Sequence, residues 1–257
     1  MRPSKGLGQH FLRDETYVTA IVDALPPGRD VVEVGPGTGV MTAALLEQGR
    51  RVVAIELDER LIPLLHQRFD STGGFTLIAG DALGVDFGAL LPPPYAVFGN
   101  IPYYITGALI PRILAAEPRP EWVAVLVQEE VAERLCAAPG GWSLATLGVR
   151  VFADPTLAVR VPAHAFEPPP KVDSALVLMR PHDVAGFAGT AFFDFARLVF
   201  MERRKVLPNA VANALGHDVD AGRAVVAAAR LAPERRPQTL DLEEWGRLYA
   251  AFEEARR

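Results

Sequence analysis

Five short apolar runs, at residues 31–34, 51–56, 75–79, 95–98 and 122–127, punctuate the first half of the chain. Helix-period segments follow four of them, at 41–46, 59–69, 106–116 and 129–137. Strands alternating with helices of this length imply right-handed crossovers and a mostly parallel sheet covered on both faces. Two later runs, 156–161 and 175–179, lie close enough to pair antiparallel and close the sheet. Beyond Pro181 the character changes: 192–200, 205–215, 221–229 and 242–252 carry helix-period apolar spacing without strand signals. The expectation is an α/β Rossmann-like domain over 1–181, mostly parallel with an antiparallel last strand. A small all-helical domain over 182–257 follows it.

Composition narrows the function classes. Half of the 257 residues are hydrophobic, enough for a substantial core. One cysteine, Cys136, excludes an intramolecular disulfide and a cysteine-based zinc site; no metal is expected. No signal-peptide pattern and no bilayer-length apolar run is found, so a soluble, cytoplasmic protein without membrane contact is expected. The formal charge of −5 argues against a general nucleic-acid coat protein and restricts any RNA contact to a local basic surface.

The chemistry sits at the strand ends. Gly35, Gly37 and Gly39 make a glycine-rich turn between strand and helix, where backbone can approach a ligand closely and helix N–H groups are available. The spacing lacks the two-residue gap before the third glycine that a dinucleotide fingerprint requires. It resembles instead motif I of S-adenosylmethionine-dependent methyltransferases. Glu56 ends the second strand, placed to accept hydrogen bonds from ribose hydroxyls, with Asp58 as the alternative. Asp81 ends the third, where it could accept from an adenine amino group. Glu33, before the glycines, could satisfy donors in the same pocket or be structural. Asn100-Ile101-Pro102-Tyr103 ends the fourth: an amide, a proline-stiffened turn and an aromatic ring can hold the exocyclic amine of a flat base and stack on it. The plainer possibility is a strand-to-helix turn in which Pro102 starts the helix and Tyr103 fills a gap.

Seven segments in order give the chain a specific resemblance: Gly8-Gln9-His10-Phe11-Leu12, the 32–39 turn, 53–58, Gly80-Asp81-Ala82-Leu83, 100–105, 127–135 and 166–174. It resembles the ribosomal RNA adenine dimethyltransferases, specifically the small-subunit KsgA/Dim branch. That likeness implies S-adenosylmethionine as cofactor, contacted at His10, Leu12, Gly35, Gly37, Glu56, Asp81, Ala82 and Asn100. It also implies a catalytic set of Asn100, Ile101, Pro102, Tyr103 and Phe166, with the base stacked between Tyr103 and Phe166. The implied substrate is a pair of adjacent adenines in the 3′-terminal hairpin loop of small-subunit (16S) RNA within a pre-ribosomal particle, and the enzyme is expected as a monomer. The segments 200–209 and 236–244 look like this branch rather than the dimethylases of large-subunit RNA. Two positions depart from the family: His10 stands where asparagine is usual, and Glu129 where lysine is typical.

An adenine amine is a poor nucleophile because its lone pair is delocalised into the ring. If the Asn100 side-chain oxygen and the Ile101 carbonyl accept its two N–H bonds, nitrogen is pyramidalised and the developing positive charge is stabilised. Stacking by Tyr103 is worth ~1–3 kcal/mol. No side-chain general base is expected. Lys171, Arg203, Arg204 and Lys205, with Arg134, are the candidates for phosphate contacts. Three alternatives stand beside this reading: a dimethylase of large-subunit RNA, the same fold methylating a small molecule or a protein amide, against which the helical tail and basic triplet speak, and a ribosome-assembly factor in which methylation is secondary or lost.

Overall fold

The computed structural model describes residues 9–101, 105–183, 186–187 and 189–257. The chain divides into two compact units, one running to Glu133 and taking in Ala153–Pro181, the other formed by Arg134–Phe152 and His182–Arg257.

In the first unit the elements are β1 (Phe11–Leu12), α1 (Glu15–Ala24), β2 (Asp30–Val34), α2 (Val40–Glu47), β3 (Val52–Glu56), α3 (Ile62–Phe69) and β4 (Phe75–Ala79). They continue as β5 (Tyr95–Asn100), α4 (Thr106–Leu114), β6 (Trp122–Gln128) and, leading into the second unit, α5 (Glu129–Cys136). After the excursion through α6 (Leu144–Arg150), the chain returns as β7 (Ala153–Val161), β8 (Phe166–Glu167) and β9 (Ser174–Pro181). A seven-stranded sheet has the order β4-β3-β2-β5-β6-β9-β7, and β1 pairs with β8 in a separate two-stranded ladder. The strands β4 to β6 are mutually parallel. Only β9 runs against both its neighbours, β6 and β7.

The central strands are apolar without alternation because both faces are covered. Val31, Val52, Ala54, Ala96, Trp122 and Ala124 are all buried in one cluster with Ile21, Val22 and Leu45 from α1 and α2. Each large side chain so buried contributes about 1.5–3 kcal/mol. The helix α1, absent from the sequence reading, is capped by Asp14, whose side chain accepts the Thr16 N–H at 2.9 Å. The helix expected from residue 59 begins three residues later, with Pro63 in its first turn, where a missing N–H costs nothing.

The second unit holds α6 with α7 (Thr190–Met201), α8 (Leu207–Leu215), α9 (Val219–Ala228) and α10 (Leu242–Ala255). Its core is aromatic: Phe200 stacks on Trp245 with centroids 5.2 Å apart, and Phe195 meets Phe252 at 4.2 Å. Asp241 and Glu244 form a capping box that starts α10. Residues 134–152, contiguous in sequence with the sheet, cluster with these helices. A helix was expected to begin at Lys205, but α7 ends at Met201 and α8 begins at Leu207, so Arg203, Arg204 and Lys205 occupy the turn between them. Pro208 gives the reason: it has no N–H to donate and its ring would crowd the Arg204 carbonyl, so a continuous helix through it is disfavoured. Among the described residues no helix is long and apolar enough to cross a membrane.

Candidate active site

The strand order brings the chemistry together. The carboxyl ends of β4, β3, β2 and β5 lie side by side, so Asp81, Glu56, the glycine turn and Asn100 follow one another along a single sheet edge. The chain order reverses between β2 and β5, and crevices at such switch points hold ligands in open α/β sheets. The cleft there contains about 1040 Å³ of space, partly open to solvent. His10, Leu12, Gly35, Gly37, Glu56, Asp81, Ala82, Asn100 and Ile101 all line it.

All three glycines of the turn have positive φ: +71° at Gly35, +58° at Gly37 and +78° at Gly39. At Gly39, which caps α2, a Cβ would lie 2.5 Å from Cε2 of Phe69, so both backbone angle and packing demand glycine. The turn is tied to β3 through Glu56. Its Oε2 accepts the Gly37 N–H at 3.1 Å and its Oε1 accepts the Asp58 N–H at 2.8 Å. Burial raises the Glu56 pKa, while these two backbone donors oppose the shift. Glu33 is 1% exposed and accepts the Thr42 hydroxyl at 2.6 Å. Burial, reinforced by the nearby Glu56 charge, pushes its pKa up to about 7.

The two candidates for the ribose acid part company. Asp58 accepts from Arg60 Nε at 2.8 Å and from Gln9 Nε2 at 2.7 Å, and it is only 5% exposed. The Arg60 guanidinium, with help from Gln9, holds its carboxyl well below the usual carboxylate range. Glu56 lines the cleft and Asp58 does not. At the next strand end, Asp81 is exposed and accepts the Leu83 N–H at 2.9 Å, which opens a short 3₁₀ turn beginning at buried Ala82.

Asn100 ends β5 with its Nδ2 donating to the His10 carbonyl at 3.3 Å. Ile101 is buried, and its side chain occupies the space a Cβ on Gly99 would need, 2.8 Å away. Pro102 and Tyr103 lie outside the described residues. Phe166 does not line the cleft; it is 4% exposed, pairs with Leu12 across the β1–β8 ladder and packs in the main core. The pairing of β8 with β1 turns this ring inward.

The candidate RNA contacts are surface residues. Lys171, Arg134, Arg203 and Arg204 are exposed, and Lys205 is shared with Glu202 at 3.2 Å. Glu129, an acid where the resemblance leads one to expect a cation, is paired with Arg160, which also reaches Glu133 at 3.7 Å. The cleft also includes residues the sequence reading did not single out as contacts, among them Phe11, Met41 and Leu57. Phe11 and Leu57 lie inside the segments 8–12 and 53–58 that carry the resemblance, so their place in the sequence was the available signal; Leu57 is 49% exposed.

Comparison with known proteins agrees with this geometry. The family described as "Ribosomal RNA adenine dimethylase" matches residues 2–247. A ribosomal RNA small subunit methyltransferase A from Dehalococcoides mccartyi (strain ATCC BAA-2266 / KCTC 15142 / 195) is 40% identical, over 99% of this chain and 90% of its own length. The protein of that name from Synechococcus sp. (strain JA-3-3Ab) is 42% identical, over 95% and 90%. Among solved structures, a dimethyladenosine transferase from Plasmodium falciparum shares the fold with a TM-score of 0.79 at 24% identity, over 96% of this chain and 98% of that one. The 23S rRNA methyltransferase ErmE reaches 0.69 at 27% identity, over 95% and 99%. The chain therefore belongs to the ribosomal RNA adenine dimethylase family.

Proposed function

We propose that this chain, acting as a monomer, transfers methyl groups from S-adenosylmethionine to the N6 atoms of two adjacent adenines in the 3′-terminal hairpin loop of small-subunit ribosomal RNA. The observation that carries the reading is Asn100, an amide at the end of β5 on the same cleft as the glycine turn, Glu56 and Asp81. Relatives named for the small subunit are about 40% identical to the chain, against 27% for the large-subunit enzyme ErmE, which favours the small subunit as substrate.

The acceptor set at the strand ends suits a nucleoside. Three strand spacings separate β4 from β5, roughly 14 Å in all. Along that edge Asp81 can accept from an exocyclic amine, Glu56 from vicinal hydroxyls, and the glycine turn leaves room for backbone approach. When bound, the sulfonium supplies a methyl group already activated for transfer.

The residues of the chain then have to align and stabilise. Asn100 Oδ1 and the Ile101 carbonyl accept the two amine hydrogens, draw the lone pair out of conjugation and favour the developing charge on nitrogen. Tyr103 stacks on the target base, with Phe166 as the second ring. Lys171 and the Arg203, Arg204, Lys205 turn contact phosphates, and the helical unit recognises RNA. The target base must be splayed out of its stack to enter.

The test is transfer of labelled methyl to unmethylated small ribosomal subunits, followed by nucleoside mass spectrometry. Dimethyladenosine in the 3′-terminal hairpin, absent with Asn100→Ala, is the expected result. Label in large-subunit RNA, or none despite cofactor binding, would overturn the reading.

A further inference from the structure

Residues 9–13 form a short strap beside the cleft, gripped at both ends. Gln9 donates to Asp58, the Arg13 N–H donates to the Ala165 carbonyl at 2.9 Å, and Arg13 Nε meets Glu167 at 3.0 Å. Between these anchors the contacts of His10 include two of different kinds. Its own carbonyl accepts Asn100 Nδ2 at 3.3 Å. Its ring Nδ1 lies 2.8 Å from the Pro168 carbonyl oxygen. A carbonyl only accepts, so Nδ1 carries the hydrogen in this contact.

The same logic orients the amide. Only nitrogen can donate to the His10 carbonyl, so the contact leaves Oδ1 of Asn100 as the atom available for an incoming amine. Half a turn about the last side-chain bond costs an amide little, and it would present two donors to a substrate group that is itself a donor. What prevents that half turn is the position of the strap carbonyl.

We propose that His10 is a positioning residue: its ring, held to the Pro168 carbonyl, keeps its own carbonyl where it selects the acceptor-outward orientation of Asn100. This rests on the reading of Asn100 as acceptor for the target amine. The departure from asparagine at this position then has a physical account. The Asn amide nitrogen and the imidazole Nδ1 are the same number of bonds from Cα, so either side chain can place a donor at Pro168. Glutamine overshoots by one bond, and alanine has no donor.

The experiment compares His10→Ala, His10→Asn and His10→Gln in the full chain, with methyl transfer to unmethylated small subunits, the KM for S-adenosylmethionine and thermal unfolding measured on each. Expected for H10A is a fall in kcat of about tenfold with Tm little changed, as for partial loss of one oriented hydrogen bond in a transition state; because His10 also lines the cofactor cleft, KM can rise as well, but the fall in kcat is present at saturating S-adenosylmethionine. H10N recovers kcat to within about threefold of the unsubstituted chain, and H10Q does not. Equal losses in H10A and H10N, or a loss carried wholly by KM or Tm, overturn the proposal. Asn100→Ala separates the two levels: if it keeps full kcat, the underlying reading of Asn100 fails; if it is inactive while H10A is fully active, only the role of His10 fails.

Discussion

The carboxylate of Glu56 at the end of β3 accepts the backbone N–H of Gly37 in the turn after β2, at 3.1 Å. One side chain thus joins two adjacent strand ends and still lines the cleft. Removing it leaves two backbone donors, on Gly37 and Asp58, without their acceptor, and removes the candidate ribose ligand. Glu56→Ala should weaken S-adenosylmethionine binding by about 10- to 100-fold, corresponding to about 1–3 kcal/mol for unmade polar contacts. Calorimetric titration checks it, and Asp58→Ala should weaken binding far less because Asp58 does not line the cleft.

Glu33 gives stability a pH dependence of unusual sign for a carboxyl group. Its folded pKa of about 7 lies above the ordinary value of 4.5, so the folded state holds the proton more tightly. Its contribution is fully present below about pH 4.5 and is lost as pH rises to about 7. The loss is on the order of 3 kcal/mol. Glu33→Gln, neutral at every pH, should reduce that decline, seen as urea midpoints at pH 5 and pH 8 that lie closer together than in the unsubstituted chain. A decline of equal size in both proteins would assign the titration to another group.

Phe166 is a core ring that does not line the cleft, and its proposed stacking on the target base would be a second demand on it. Buried beside Leu12, it should cost about 1 kcal/mol when replaced by leucine of similar bulk. As the second stacking ring it should cost more in function than in stability. Phe166→Leu is expected to lower methyl transfer to RNA by about tenfold, within the ~1–3 kcal/mol worth of base stacking, while cofactor affinity holds. Transfer unchanged at a temperature where both proteins are folded would make Phe166 a core residue only.

The turn between α7 and α8 carries Arg203 and Arg204, both exposed. If they meet phosphates, the double substitution Arg203→Ala, Arg204→Ala should weaken RNA binding and reduce its salt slope by about two. Binding measured at several salt concentrations decides this, with cofactor affinity as the control. An unchanged slope would remove the turn from the RNA surface.

Much of this site was legible in the amino-acid order because its parts are local. A strand, a glycine turn and the acid or amide ending the next strand are each written within a few residues, and alternation with helices already implied a parallel sheet whose ends lie together. The basic triplet was legible as composition but not as geometry, since Pro208 decides that it sits in a turn. The short helix α6 was missed, and with it the fact that residues 134–152 fold with the C-terminal helices.

What the sequence by itself determined was the fold class, the family and the set of residues at the strand ends. Which of them act together was decided by contacts between residues far apart in the chain. Gln9 and Arg60 engage Asp58 and leave Glu56 on the cleft. The β1–β8 ladder joins Leu12 to Phe166 and turns that ring inward. The His10 carbonyl orients the Asn100 amide from ninety residues away. Local propensity contains no information about such pairings; they exist only once the sheet has brought the strand ends to one edge and the strap has been laid against them.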